Sequence, residues 1–380
     1  MNPSALKTKF IEQIAADFPA LSSQKIAPFI SDQLLSPFVI ELPKKILSQA
    51  RAFVSATFKH RNSPEYTSAL VAELERRQLR APGNYSILMS YDFHIDENEN
   101  LKLIEINTNA AFLALGDLMY KTHGLTQPVI DFSMQELRQN ILQELALNGH
   151  SEITQPRLAI IDDQPETQRL YVEFLVFAEL FKSWGWNTQI CDYRQLSDKI
   201  DFIYNRYTDF FFNDPSSKQL RELFNSRTVT FSPNPVEYLY LADKTRMIEW
   251  SQKNFAPAMI YHLPKAQILN SDNSEQIWNE RKNLFFKPRQ SFGSKQTYRG
   301  AKISKKLFEE ITNQDFIAQE YMPAPEKSFP TESGPQAFKY DLRFFAYQDR
   351  VQSVVARIYQ GQVTNLKTPL GGFACVRFSE

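Results

Sequence analysis

The region from residue 157 to residue 232 most constrains the fold, because short apolar runs alternate there with helix-length amphipathic stretches. The order is a strand (RLAIID), a helix over 168–184, two strands (TQICDY and DFIYNRY), a helix over 217–224 and a strand (TVTFS). Alternation of this kind predicts a compact α/β unit with a mostly parallel sheet. The breaker cluster SPNP at 232–235 follows it and marks a boundary.

The regions on either side have a different pattern. Residues 1 to about 80 carry periodic apolar positions, as in 43–58 and 68–77, and are predicted to be helical. After SPNP we expect a helix from about 236 to 253, a loop-rich stretch, and then strands in NLFFKPR, FIAQEYM, DLRFFAYQ and VQSVVARIY. The chain as a whole is therefore predicted to be a mixed α/β (α+β) protein.

A predicted hairpin in SYDFHIDENENLKLIEINTNAAFLALG brings acidic and amide side chains together. Glu105 and Asn107 are two residues apart in an apolar strand, so they project from the same face. The DENEN turn would place Asp92 of the preceding strand alongside Glu105. Carboxylate and amide oxygens suit Mg²⁺. The alternative is that Glu105 forms a cap or salt bridge, and that Asn107 simply starts the turn into Thr108 and Asn109.

Two segments of the C-terminal third suggest a nucleotide. FFKPRQSFGSKQTYRG puts Lys287 at a strand end, before a polar loop around Gly293, where a lysine and backbone N–H groups can reach phosphate oxygens. FIAQEYMPAP runs from a strand into a proline-rich turn, as does a hinge beside an adenine ring, with Gln319 and Glu320 as candidate contacts. A solvated lysine and an ordinary strand and turn are the alternatives.

Composition excludes several function classes. Lys plus Arg and Asp plus Glu both number 43, so nothing in the net charge favours nucleic acid or an anionic membrane. Cys191 and Cys375 lie far apart without a CxxC motif, which argues against a disulfide framework or a zinc site and fits a reducing cytoplasm. With no run of about 18 apolar residues, we expect a soluble cytoplasmic protein.

Taken together, these segments resemble the circularly permuted ATP-grasp ligases, most closely the eukaryotic-type glutathione synthetases and more distantly the glutathionylspermidine synthetases. The resemblance implies a split ATP-grasp domain with an inserted parallel-sheet α/β domain and an N-terminal helical region. It implies helices and metal-binding strands in residues 1–156, a substrate-binding domain in 157–235, and the ATP-binding part with a Gly-rich loop and a C-terminal lid in 236–380.

The resemblance also implies roles for single residues. IEINT is similar to the family's metal strand, which implies Mg²⁺ binding by Glu105 and Asn107, and SYDF implies that Asp92 contacts the same site. LADKT and KPRQSFG resemble ATP-binding segments, and QEYMPAP resembles the hinge. IYNRYTD is similar to a segment that grips the peptide substrate, and LGGFACVRF resembles the lid. The implied ATP contacts are Lys244, Lys287, Ser291, Gly293, Lys295, Gln319 and Glu320. The implied substrate contacts are Arg206, Asn109, Gly371 and Gly372.

The expected activity is an ATP- and Mg²⁺-dependent ligation of a small carboxylate to an amine, such as an amino acid or short peptide, through an acyl phosphate. Arg343 and Arg357, on two apolar strands, are candidate catalytic contacts to a carboxylate or acyl phosphate, or else pair with Asp341 or another buried acid. Ser291 stands where the family has a glutamate as third metal ligand, which implies a metal held by fewer acids and motivates an inactive ATP-binding protein as an alternative. Ser90 stands where the family has an arginine that holds the acceptor substrate, which implies a shift in substrate. The alternatives are a polyamine ligase, a phosphotransferase and a catalytically inactive ATP-binding protein. No nucleic-acid or membrane partner is expected, and the related enzymes suggest a homodimer.

Overall fold

The computed structural model of the chain describes residues 3–197, 199–252, 262–289 and 296–379. Its strands are β1 (Leu35–Pro43), β2 (Met89–Ile95), β3 (Leu101–Asn107), β4 (Arg157–Asp162), β5 (Asn187–Asp192), β6 (Phe202–Asn205), β7 (Thr230–Ser232), β8 (Ala266–Ile268), β9 (Leu284–Pro288), β10 (Tyr298–Arg299), β11 (Phe316–Glu320), β12 (Glu326–Thr331), β13 (Gly334–Tyr347), β14 (Arg350–Tyr359) and β15 (Gly372–Ser379). Its α-helices are α1 (Pro3–Asp17), α2 (Ser23–Ile26), α3 (Lys44–Arg61), α4 (Pro64–Ala69), α5 (Val71–Arg76), α6 (Leu113–Thr122), α7 (Met134–Leu147), α8 (Tyr171–Ser183), α9 (Lys218–Ser226), α10 (Pro235–Glu237), α11 (Lys244–Gln252), α12 (Ser274–Glu280) and α13 (Lys305–Thr312). The predicted mixed α/β class is confirmed.

The largest sheet joins strands from both ends of the chain. Its order is β1–β15–β14–β13–β2–β3, with β12 added on β13. Neighbouring strands are antiparallel except β1 and β15, which are parallel. This sheet therefore joins β3, which carries Glu105 and Asn107, through β2 to the long strands β13 and β14, which carry the two candidate arginines.

A separate parallel sheet is formed by the middle of the chain, in the order β5–β4–β6–β7. Its central strand β4 is buried from Leu158 to Asp162, because helices must cover both faces of a parallel sheet. Helix α8 connects β4 to β5 and is itself largely apolar, with Phe174, Phe177 and Phe181 in the core. The predicted strand and helix alternation is confirmed.

A third, antiparallel sheet has the order β10–β9–β11–β8. It packs on α12 and α13 through a small core of its own, which includes Ile277, Phe286, Phe308 and Phe316. The other face of its central strands turns Lys287 and Gln319 toward the site described below. Across the described ranges, none of the helices has the length and apolar character needed to cross a membrane.

Two local predictions are wrong. Residues 1 to 80 are not all helical, because residues 35–43 form β1, whose parallel partner β15 lies at the opposite end of the chain. The helix predicted over 236–253 is broken: α10 runs into a π-helical turn, Asp243 is extended, and its carboxylate caps Thr245 to begin α11. That break puts Lys244 at the first position of a new helix.

Candidate active site

A cavity of about 440 Å³ lies where the three sheets meet. The large sheet contributes β3, β13 and β14, the antiparallel sheet contributes β9 and β11, and the parallel sheet contributes the ends of β4 and β6. Basic side chains outnumber acidic ones on its wall. The basic ones are Arg169, Arg206, Lys244, Lys287, Lys339, Arg343 and Arg357, and the acidic ones are Glu105, Asp162, Glu320 and Asp341. A cavity with this excess suits an anionic ligand.

The hairpin of β2 and β3 forms as predicted. Asp92 is directly opposite Glu105 in the antiparallel register. The side-chain amide of Asn107 donates to the Glu105 Oε1 at 3.3 Å and to the Asp92 Oδ2 at 3.2 Å, so the three side chains share one face. Glu105 and Asn107 line the cavity, whereas Asp92 is fully buried behind it.

The side-chain oxygens of Glu105 and Asn107 suit Mg²⁺ if water and a bound phosphate supply its other ligands. Among residues 3–197, 199–252, 262–289 and 296–379, no three His, Cys, Asp or Glu side chains are grouped to hold a metal by themselves. Mg²⁺ commonly takes only one or two protein carboxylates and fills its other positions with water and phosphate oxygens. One carboxylate, Glu105, and the amide oxygen of Asn107 fit that demand.

Two lysines face Glu105 from different elements. Lys287 comes from β9 and Lys244 from the start of α11, and both are buried, with 7% and 8% of their surface exposed. Burial lowers the pKa of Lys287 to about 8, against the attraction of Glu105 and with the repulsion of Lys244. Burial also lowers the pKa of Lys244, again opposed by Glu105. Two buried ammonium groups near one carboxylate leave an excess of positive charge, which favours the binding of an anion.

The segment predicted to be a hinge borders the same cavity. Gln319 is buried within β11, and its side-chain Oε1 is a buried atom without a hydrogen-bond donor in the described part of the chain. Glu320 is exposed, and its carboxylate accepts from the Lys265 backbone N–H at 3.1 Å. His94 holds the next turn, with its Nδ1 2.8 Å from the Met322 carbonyl oxygen. The hinge is thus fixed in place from β2.

The candidate arginines form a buried ion cluster. Arg343 donates from Nε and Nη2 to the two Asp92 oxygens at 2.9 and 2.7 Å. Arg357 donates from Nη2 to Asp92 at 2.8 Å and from Nε to Asp341 at 2.6 Å. Burial alone would raise the pKa of Asp92, but the two guanidinium groups hold it well below its usual range. Both arginines therefore pair with buried acids, and both also line the cavity.

Arg206 and Asn109 lie together at the far end of the cavity. Arg206 follows β6, its backbone N–H donates to the Ile161 carbonyl at 2.8 Å, and its Nη1 donates to the Asn109 carbonyl. Both residues line the cavity. The parallel sheet and the metal strand are therefore joined by an arginine that the sequence resemblance assigned to substrate.

The two C-terminal glycines lie at or directly before the start of β15 in the large sheet, outside the cavity lining. Gly372 begins β15, is buried, and pairs with Ile358 of β14. Its φ is +114°, and a Cβ there would lie 2.6 Å from the Gln33 carbonyl oxygen, so glycine is required by the close approach of the chain before β1. Gly371 is equally tight against the Ile358 carbonyl oxygen. The loop that does border the cavity precedes them, at 362–366.

Three predicted ATP contacts, Ser291, Gly293 and Lys295, lie outside the described residues.

Other residues of the site had no role in the sequence interpretation. Lys339 and Thr364 line the cavity, and the Thr364 hydroxyl donates to Asp341, which ties the 362–366 loop to the ion cluster. Asp162 and Arg169, from β4 and the loop after it, complete the far end. The sequence does give one indication of Asp162 as a site residue, because it is an acidic residue at the end of a predicted parallel strand.

No protein-family profile and no curated protein matches the chain significantly. Among solved structures, it is similar to a protein from Methylobacillus flagellatus KT provisionally described as a gamma-glutamylcysteine synthetase, with 9% identity, 86% of each chain covered and a TM-score of 0.43. It is also similar to the ATP-grasp ligase PsnB complexed with minimal precursor, with 10% identity, 55% of this chain and 77% of that chain covered, and a TM-score of 0.28. At these values the likenesses carry no argument about activity.

Proposed function

We propose that the chain is an ATP- and Mg²⁺-dependent carboxylate–amine ligase that works through an acyl phosphate. The observation that carries the proposal is the pair of buried lysines, Lys244 and Lys287, set around Glu105 and Asn107 in one cavity. In this reading residues 157–235 bind the substrate, and the segments 1–156 and 236–380 together form the ATP-grasp part.

The lysines supply what phosphoryl transfer needs from a protein. A carboxylate that attacks a γ-phosphate is an anion approaching a polyanion, so fixed positive charge near the transferring group lowers the barrier. Lys287 lies on a strand and Lys244 at the start of a helix. Their burial strengthens the electrostatic attraction between each ammonium group and a nearby phosphate. Glu105 and Asn107 would hold Mg²⁺, which would neutralise phosphate charge when bound.

The hinge supports an adenine position next to the phosphates. Ile104, Phe285 and Tyr321 give the cavity apolar and aromatic walls at that end, and the Gln319 side chain offers a buried acceptor suited to an exocyclic amine. Glu320 lies at the mouth, where a ribose hydroxyl would find a carboxylate. His94 keeps the turn in register through Met322.

The ion cluster supports an electrostatic role for Arg357 in particular. Arg343 commits Nε and Nη2 to Asp92 and directs Nη1 to the Ala111 carbonyl oxygen. In the part of the chain that the structure describes, Arg357 donates from Nε and Nη2 to Asp341 and Asp92, and its Nη1 is the atom that we assign to an anion in the cavity that it lines. Asp92 acts as a positioning residue, because it orients both guanidinium groups and does not itself reach the cavity.

The test is ADP release by the full chain with ATP and Mg²⁺, in the presence of pooled amino acids, short peptides and polyamines. We expect release that needs both a carboxylate and an amine, and we expect Glu105→Ala and Lys287→Ala to abolish it. Glu97→Ala, in the exposed turn of the same hairpin, and Lys282→Ala, on the exposed turn before β9, are matched controls.

Each outcome of that test has a distinct meaning. A well-folded Lys287→Ala protein with full turnover would remove Lys287 from the mechanism. Release that needs a carboxylate and no amine would indicate a phosphotransferase instead. ATP binding without release on any pair would support the inactive ATP-binding alternative.

A further inference from the structure

The far end of the cavity coincides with a reversal in the order of the parallel sheet. The chain forms β4 first, places β5 on one side of it and then places β6 and β7 on the other. In open parallel sheets a crevice opens at the carboxyl ends of the two strands where the order reverses, and ligands bind there. Here those strands are β4 and β6, and the residues at their carboxyl ends are Asp162 and Arg206.

Asp162 is the acid of this crevice. It is the last residue of β4, it is buried with 6% of its surface exposed, and it lines the cavity. Its Oδ1 accepts from the Asp163 backbone N–H at 2.8 Å. Burial raises the pKa of Asp162 to about 6, although that hydrogen bond and Arg206 oppose the shift. A cation placed beside this carboxylate would therefore be stabilised by it.

Arg206 supplies the positive charge of this crevice. The Arg206 side chain is partly buried, and its Nε is a buried atom without an acceptor among the described residues. No ion pair within 4 Å joins it to Asp162 in that described part, so neither charge cancels the other at contact distance. Arg169 stands at the rim and donates from Nη2 to the Leu366 carbonyl, which joins the crevice to the 362–366 loop.

We propose that this crevice binds the zwitterionic head of an α-amino acid, with Asp162 receiving the ammonium and Arg206 the carboxylate. In an α-amino acid, one carbon atom separates the ammonium from the carboxylate. This separation suits an acidic and a basic side chain on adjacent strands, which lie about 4.8 Å apart. The sequence resemblance implied only a carboxylate contact for Arg206, and Asp162 adds the selection of the amine. The inference rests on the proposed function, because it names the substrate class of the same cavity.

The test is calorimetric titration of the full chain, without nucleotide and with ATP analogue and Mg²⁺. The probes are α-amino acids, each with its decarboxylated amine and its N-acetyl derivative. At least one amino acid should bind at least tenfold more tightly than both of its derivatives. Asp162→Asn should weaken that amino acid by about tenfold or more, since a charged hydrogen bond is lost, and should leave ATP affinity unchanged. Asparagine keeps an oxygen for the Asp163 N–H.

The neighbouring acid gives the matched control. Asp163→Asn changes a side chain outside the cavity lining that pairs with Arg194, and it should leave amino-acid affinity as in the wild type. Equal binding of an amino acid and its decarboxylated amine, no binding by any amino acid, or unchanged affinity in a folded Asp162→Asn protein would each overturn the proposal. If that variant does not fold, the wild-type comparison of the three probe types decides by itself.

The two proposals fail in different ways. The protein could bind ATP and release ADP in a Lys287-dependent way without preferring amino acids to their derivatives. That result would support the ligase and exclude the amino-acid head-group site. Asp162-dependent amino-acid binding without any ATP binding would keep the crevice and remove the ligase.

Discussion

Lys287 should make ATP binding depend on pH in a window where few side chains titrate. Burial lowers the pKa of Lys287 to about 8 in the nucleotide-free protein, and bound phosphates would raise it again. ATP binding then requires Lys287 to be protonated. The phosphates of ATP have their last pKa near 6 to 7, so they stay fully ionised above pH 7.5 and do not contribute to the change.

The expected size follows from the linkage of the two equilibria. Below pH 8 the lysine is mostly protonated and the affinity is nearly constant. Above pH 8 each further unit removes about tenfold in protonated protein, which is about 1.4 kcal/mol of binding free energy. We therefore expect the dissociation constant of ATP, measured by calorimetry, to rise about 25-fold between pH 7.5 and pH 9.5. Lys244, whose pKa is also lowered, adds in the same direction.

A substitution separates this effect from other causes. Arginine stays protonated throughout the window, so Lys287→Arg should remove most of the pH dependence, while Lys282→Arg on the exposed turn should keep it. Equal ATP binding by the wild type at pH 7.5 and 9.5 would show that Lys287 does not titrate in this window or does not contact the phosphates. A folded Lys287→Arg protein whose ATP affinity depends on pH as steeply as that of the wild type would show the same.

Three further perturbations test the site and its support. Glu105→Gln should abolish the gain in ATP affinity that Mg²⁺ gives the wild type, measured by titration with and without chelator; an equal gain in both proteins would exclude Glu105 as a metal ligand. Asp92→Asn should lower the urea midpoint by an amount equivalent to about 3 to 5 kcal/mol, because two buried guanidinium groups lose a charge partner, and adding Arg343→Met should recover part of it; a loss below about 1 kcal/mol would contradict the reading of the cluster. Burial raises the pKa of Glu144 to about 7, so the folded state holds a proton that the unfolded state releases, and stability should fall by about 3 kcal/mol as pH rises from about 4.5 to 7. Glu144→Gln should flatten that slope in urea titrations, and parallel slopes would show that Glu144 is not its source.

The local parts of the site were predictable because they depend on short-range patterns. The turn between β2 and β3 and the two-residue spacing of Glu105 and Asn107 fix which side chains share a face, and the structure has Asp92 opposite Glu105 as expected. The alternation over 157–232 predicted the parallel sheet for the same reason. Neither inference needed a contact between distant parts of the chain.

The remaining parts depend on long-range contacts that no local pattern reports. Asp92 meets arginines about 250 residues away in sequence, so the sequence offered Arg343 and Arg357 as catalytic contacts or as partners of an acid without deciding between them. Glu173 of α8 accepts from the backbone of Phe112 and so fixes the start of α6 across the fold. The need for glycine at position 372 comes from the close approach of the chain before β1, which the motif LGGFACVRF does not report.

The most direct test of the ligase activity is mass spectrometry of products after incubation of the full chain with ATP, Mg²⁺ and pooled carboxylates and amines. A carboxylate–amine ligase would form a new amide matched by one ADP and one phosphate, and this amide should be absent with the Lys287→Ala protein. ADP release without any amide, or an amide that forms undiminished in Lys287→Ala, would contradict the proposed function.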